Sequence, residues 1–140
     1  MKITDLKFMV KRWDFNTSQF EDFNIFNNGG VLRSVALWVK ASKTKKKTKN
    51  DNFILKEHSS PENRLMFLFG DLWGRCEYEF IVKDGQLAGG LFEDVEGEKT
   101  DIFQYYVKPN AKELLEMVDK VSLSSATNFL REDRNRWHKR

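Results

Sequence analysis

The chain has 140 residues, 40% of them hydrophobic, with twelve Phe, four Trp and one Cys. That length predicts one domain with its own core. The aromatic content argues against wholesale disorder, and a lone cysteine excludes an internal disulfide framework and any multi-cysteine zinc site. The formal net charge of +3 conceals a bipolar layout. Residues 40–49 hold six lysines and no acid, residues 131–140 five bases against two acids, and residues 71–101 nine acids against three bases. Local fields of this kind steer partners more than the total charge does. The opening Met1-Lys2-Ile3-Thr4-Asp5 is not followed by a signal-type apolar run. No window holds the roughly 18 consecutive apolar residues of a spanning helix. A cytoplasmic protein without membrane contact is therefore expected, and the single cysteine fits a reducing compartment.

Lys7 to Trp13 reads as a strand, followed by a turn through Asp14 to Ser18 and a second extended segment from Phe20 to Phe26. Asn27-Asn28-Gly29-Gly30 is a break. Leu32, Val35, Ala36 and Val39 recur at helical spacing, which predicts a helix over 31–42, although the β-branched valines also suit a strand. Residues 41–51 are lysine-rich and almost free of apolar side chains, so like-charge repulsion predicts a mobile loop. Phe53, Ile54 and Leu55 form a short apolar element. Ser60-Pro61-Glu62 carries a cap, a proline suited to the first helical position and an acid at the positive end. Leu65, Leu68, Phe69, Leu72 and Cys76 then share one helical stripe, with Gly74 marking the end of the helix.

From Glu77 the period changes to two, with Tyr78, Phe80 and Val82 on one side of a strand and Glu77, Glu79 and Ile81 on the other. Asp84-Gly85 and Gly89-Gly90 read as turns. Asp101 to Val107 reads as a second strong strand, antiparallel to the first. Asn110 with Glu113 resembles a capping box ahead of a helix with the stripe Leu114, Leu115, Val118 and Val121. A last basic segment, 124–140, is anchored by Phe129, Leu130 and Trp137. The predicted architecture is a single α+β domain: a small antiparallel sheet packed against three or four helices.

Three constellations carry candidate chemistry. Glu77 and Glu79 share a strand face, and with Asp101 on an adjacent strand the three carboxylates would suit a hard cation such as magnesium. The plainer reading is a solvated sheet face with charges paired to Arg75 or Lys83. Cys76 with His58 or His138 would need an accessible, activated thiol. Its place on the apolar stripe favours a small buried hydrophobe instead. The basic segments are the third. Lys43, Lys45, Lys46, Lys47 and Lys49 suit phosphate backbones, an acidic protein surface or solvent alone. No aromatic interrupts the lysines, so no base-stacking platform is indicated. Arg134, Arg136 and Trp137 are residue types favoured at binding hot spots, set against an ordinary frayed terminus. No GxGxxG, Walker A, HExxH, GxSxG or CxxC pattern occurs. A non-enzymatic protein without cofactor is the resulting expectation.

Lys11-Arg12-Trp13-Asp14-Phe15-Asn16, Phe23-Asn24-Ile25-Phe26-Asn27 and Trp73-Gly74-Arg75-Cys76-Glu77-Tyr78-Glu79-Phe80-Ile81-Val82 resemble segments of small uncharacterised proteins of phages and mobile elements of Gram-positive bacteria. Asp101-Ile102-Phe103 followed by a final helix continues the order. The resemblance spans residues 8–27 and 68–121. The lysine run, the glycine-rich stretch 85–98 and the basic tail depart from the pattern. The family supplies no activity to carry over. The resemblance implies a phage-like setting, in which small accessory proteins often inhibit host defence, including anti-CRISPR proteins that bind Cas nucleases. The net positive charge argues against a DNA mimic. An inhibitor with this charge map would place its lysines on an acidic patch, or its acidic 71–101 region against a nucleic-acid channel. The alternatives are direct nucleic-acid binding through the two basic segments and a metal-dependent enzyme using Glu77, Glu79 and Asp101.

Overall fold

A computed structural model of the chain describes residues 1–73, 77–84, 86–93, 96–101, 104, 106–107 and 110–138. A one-turn 3-10 segment, Ile3–Asp5, precedes a hairpin of β1 (Met9–Asp14) and β2 (Gln19–Asn24). The register sets Val10 opposite Phe23, Lys11 opposite Asp22, Arg12 opposite Glu21 and Trp13 opposite Phe20. Opposed residues share a face. Val10 and Phe23 therefore point to the core side, while Met9, Trp13 and Phe20 point to the other. In the connecting turn the Asp14 carboxylate accepts from the Asn16 N–H at 2.8 Å, and Ser18 takes the left-handed conformation (φ 53°).

Helix α1 (Gly29–Lys43) is the centre of the molecule. Asn28 starts it, its side-chain oxygen accepting from Gly30 N (2.9 Å) and Val31 N (3.1 Å), two donors the first turn would otherwise leave unpaired. Val31, Val35, Ala36, Trp38, Val39 and Ala41 are all buried, a wider apolar arc than one stripe, because α1 is covered on several sides. That packing overrides the modest helix propensity of its valines.

Helix α2 (Lys49–Glu57) follows and then α3 (Pro61–Trp73), started by Ser60, whose hydroxyl accepts from Asn63 N at 3.2 Å. Leu65, Leu68 and Phe69 face the core as their spacing predicts. Strands β3 (Glu77–Lys83), β4 (Gln86–Glu93) and β5 (Lys99–Asp101) form an antiparallel sheet in that order, with a register irregularity at Ile81/Val82 and Asp84 at φ 52° in the turn. Phe80 packs its ring 6.4 Å from that of Phe69, which seats this sheet on α3.

Helix α4 (Ala111–Asp119) is capped by Asn110, whose side chain accepts from Glu113 N at 3.2 Å, and buries Leu114, Leu115 and Val118. Helix α5 (Leu123–His138) runs against α1 and closes the core with Ala126, Phe129 and Leu130. The N-terminal segment is tied to its start, Ile3 N donating to Ser125 Oγ (2.8 Å) and Ser122 N to Met1 O (2.9 Å). The result is one α+β fold, with two small sheets on a helical body. No helix among the described residues is long and apolar enough to cross a membrane.

Three local expectations give way to tertiary structure. Gly89-Gly90 is not a turn but the middle of β4, where Gly90 is buried opposite Phe80 and Gly89 lies opposite Ile81. Cross-strand pairing overrides the turn preference of the glycine pair. The strand expected over 101–107 ends, among the described residues, at Asp101. It pairs with β4 rather than β3, and Tyr106 crosses to Arg12 of β1 as an isolated bridge. The basic loop expected over 41–51 shrinks to 44–48. α1 extends through Lys43, and Thr48 starts α2 with a reciprocal capping box to Asp51.

Candidate functional site

The lysines expected to act together are held in three different ways. Lys43 belongs to the last turn of α1, and its Nζ donates to the carbonyls of Asp119 (3.1 Å) and Val121 (2.5 Å). It therefore neutralises the negative end of α4 and ties α1 to it. Lys45, Lys46 and Lys47 are exposed on the short link between two helix ends, where Thr44 N donates to Lys40 O (3.1 Å) and the Thr48 hydroxyl accepts from Asp51 N (3.2 Å). Lys49 is exposed in the first turn of α2, where its charge opposes the helix dipole and Asp51 offsets it. Three of the five lysines thus stand on a link fixed at both ends, and a fourth, Lys49, is exposed in the helix turn that follows it.

The C-terminal residues lie elsewhere. Arg134 and Arg136 are exposed on the last turns of α5, which also carry Trp137, whose side chain is outside the described part of the molecule. Asp133 lies 3.8 Å from Arg33 near the start of α1, whereas Lys43 at its end meets Val121 just ahead of α5. The two helices are therefore antiparallel. Arg33 and Lys43 are about 15 Å apart along α1 at about 1.5 Å per residue. The lysine link and Arg134/Arg136 sit at opposite ends of the α1–α5 pair and do not form one patch.

The carboxylate constellation is only partly assembled. Glu79 is opposite Leu91, and Leu91 is opposite Asp101, so the two acids share a sheet face with a leucine between them. At about 4.8 Å per strand, their backbones are about 10 Å apart. Glu77 pairs with Glu93, which pairs with Lys99, and the side chain of Glu77 is outside the described part of the molecule. No group of three His, Cys, Asp or Glu side chains able to hold a metal occurs among the described residues. Cys76, Gly74 and Arg75 lie outside the described residues, as does the side chain of His138. His58 ends α2 and stacks 4.9 Å from Phe67, its Nδ1 buried without a hydrogen-bond partner among the described residues.

The hairpin of β1 and β2 carries a group that the sequence reading passed over. Arg12 pairs with Glu21 at 2.7 Å and lies 4.1 Å over the Phe23 ring. Phe23 meets Tyr106 edge-on at 6.1 Å, and Trp13 meets Phe20 edge-on at 5.1 Å. Burial pushes the Tyr106 phenol above its ordinary value, against the opposing pull of the Arg12 guanidinium, which also hydrogen-bonds to it. At the turn, Arg12, Trp13, Asp14, Phe15, Glu21 and Tyr106 line an open pocket of about 490 Å³. Phe15 is 70% exposed; Phe20 (44%) and Met9 (47%) leave apolar surface on the other face of the hairpin, Met9 at its open end. An aromatic among the turn formers Asp14, Asn16, Thr17 and Ser18 was the available signal, since such a position cannot be buried by its own hairpin.

No family model, curated protein or solved structure matches this chain.

Proposed function

We propose that this chain is a non-enzymatic binding protein that docks Lys45, Lys46, Lys47 and Lys49 on an acidic surface of a bacterial defence complex. A Cas nuclease is the partner class implied by the resemblance to phage and mobile-element proteins. One observation carries the reading: three exposed lysines stand on a link whose two ends are fixed by helix caps and by the Lys43 anchor, and a fourth, Lys49, is exposed in the first turn of α2 directly after it. Fixing the ends lowers the ordering cost that a free lysine tail would meet on binding. A concentrated positive field also accelerates encounter with an acidic partner. Because the link is separate from Arg134, Arg136 and Trp137, the reading takes the link as the primary contact and the C-terminal residues as a secondary one.

The test is capture of purified Cas nucleases by the immobilised full chain, each with and without guide RNA, across a salt series. Micromolar or tighter binding that weakens with salt and survives nuclease treatment is the expected result. Absence of binding to every nuclease tried at micromolar concentration would remove this partner class. Retention of free DNA or RNA, with a steep salt dependence that vanishes when the link lysines become glutamine, would replace the reading with direct nucleic-acid binding.

A further inference from the structure

Helix α2 turns two of its three apolar side chains inward and one outward. Ile54 and Leu55 pack against the core, whereas Phe53 is 61% exposed. Phe53 lies four residues after Lys49 and three before Lys56, both exposed, so its ring stands between two lysines on one face of the helix. It is about 6 Å along the axis from Lys49, the residue at which the lysine link enters α2. Residues 40–57 hold seven lysines against two acids, Asp51 and Glu57. Asp51 belongs to the capping box with Thr48, and Glu57 is exposed at the far end of α2. Lys45, Lys46, Lys47, Lys49 and Lys56 make no ion pair among the described residues. Two other phenylalanines are exposed among those residues, and both are engaged within the chain: Phe20 meets Trp13 edge-on at 5.1 Å, and Phe15 has an interaction of its own. Phe53 has no ring contact among the described residues and does not join the core. Its exposed ring therefore contributes no packing to the fold, and phenylalanine has no helix-propensity advantage that would place it there.

We infer that Phe53 is the apolar anchor of the lysine surface, and that the acidic partner presents to it an apolar side chain flanked by carboxylates. The inference rests on the reading of the link as the contact for an acidic partner, but not on that partner being a Cas nuclease. Lysines alone attract any anion and discriminate little, because exposed ion pairs are weak and screened by salt. An aromatic ring desolvated at the centre of a charged rim supplies the contact energy that the rim does not. A bilayer fits less well, since Ile54 and Leu55 face the body and leave α2 one outward apolar side chain, too little for an interfacial helix. A single strand of nucleic acid stacks successive bases on successive rings, and this surface offers one.

The experiment titrates the full-length chain into a labelled peptide of Glu and Asp with a central Leu-Phe pair, read by fluorescence anisotropy across a salt series. The same peptide with Ser-Ser at its centre is the control, and a labelled thymidine oligonucleotide is the third probe. Saturable binding, about tenfold tighter for the Leu-Phe peptide than for the Ser-Ser peptide, is the expected result. Phe53→Ser should bring the Leu-Phe peptide down to the level of the control. Lys46→Gln/Lys47→Gln should weaken both peptides alike and flatten their salt dependence. Phe53 is exposed and serine has a similar helix propensity, so the variant keeps the fold, which an unchanged melting temperature verifies. If both peptides bind equally well to the parent chain, or the preference survives Phe53→Ser, the anchor is overturned while the lysine surface stands. If neither peptide binds, the acidic-partner reading falls with it. Tighter binding of the oligonucleotide than of the Leu-Phe peptide, lost in Phe53→Ser, would overturn the inference by assigning the ring to a base.

Discussion

The lysine link and the β1–β2 hairpin tip are both exposed, but their charges are organised in opposite ways. The link concentrates like charge on a backbone held by helix caps, with no aromatic side chain between the lysines. The hairpin pairs nearly every charge across its strands, Lys11 with Asp22 and Arg12 with Glu21, and exposes rings instead. The first arrangement acts at a distance and weakens with salt. The second acts on contact, through desolvated aromatic and ion-pair geometry. One chain thus carries an exposed run of like charge and a hairpin that exposes rings, both mounted on the same helical body.

That division is broken if substitutions in the body and at the tip have similar effects on folding. Leu114 is fully buried, so Leu114→Ala should cost about 2–5 kcal/mol in urea unfolding. Phe15→Ala should stay within about 0.5 kcal/mol in the same assay. A large loss at Phe15 would make the tip part of the core. A smaller effect is expected at the start of α1, where Asn28→Ala removes an acceptor for two backbone donors and should cost about 0.5–2 kcal/mol.

Within the lysine run the comparison sharpens further. Lys43→Gln should lower stability by about 1 kcal/mol, because it removes a charged donor from two carbonyls at the end of α4. Lys46→Gln should leave the melting temperature unchanged, since its side chain is exposed on the link. Equal effects would mean that Lys43 is not an anchor. The smallest effect is a pH dependence. Burial raises the Tyr106 phenol above its ordinary 10.0, so the folded protein holds that proton longer than the unfolded chain. Its contribution to stability is intact below the ordinary value and is lost as pH rises through the raised one. A melting temperature that falls in this alkaline window less for Tyr106→Phe than for the parent chain is the expected observation.

Much of this was legible in the sequence wherever the signal is local. Ser60-Pro61, Asn110 with Glu113, and the stripe Leu114, Leu115, Val118 and Val121 each act within one or two turns, and each has the expected place. The α+β class followed from the same elements. What failed depended on contacts distant in sequence. Gly89-Gly90 lies mid-strand because β3 and β5 flank it, and Tyr106 leaves the second sheet for β1. Composition revealed two basic segments but not where they lie, and the antiparallel packing of α1 and α5 sets them at opposite ends. The pairing of Trp13 with Phe20 and of Arg12 with Glu21 needs the hairpin register, so the tip pocket was invisible from composition. The charge run stood out because composition alone reveals it, and the quieter hairpin because geometry does.

The central claim is that the lysine link, and not the C-terminal end of α5, makes the primary contact. Its most direct measurement compares the affinity of the captured partner for two full-length variants of matched charge loss, Lys46→Gln/Lys47→Gln and Arg134→Gln/Arg136→Gln. A loss of at least tenfold for the link variant with at most a twofold loss for the α5 variant is the predicted result. Equal losses, or a larger loss for the α5 variant, would contradict it.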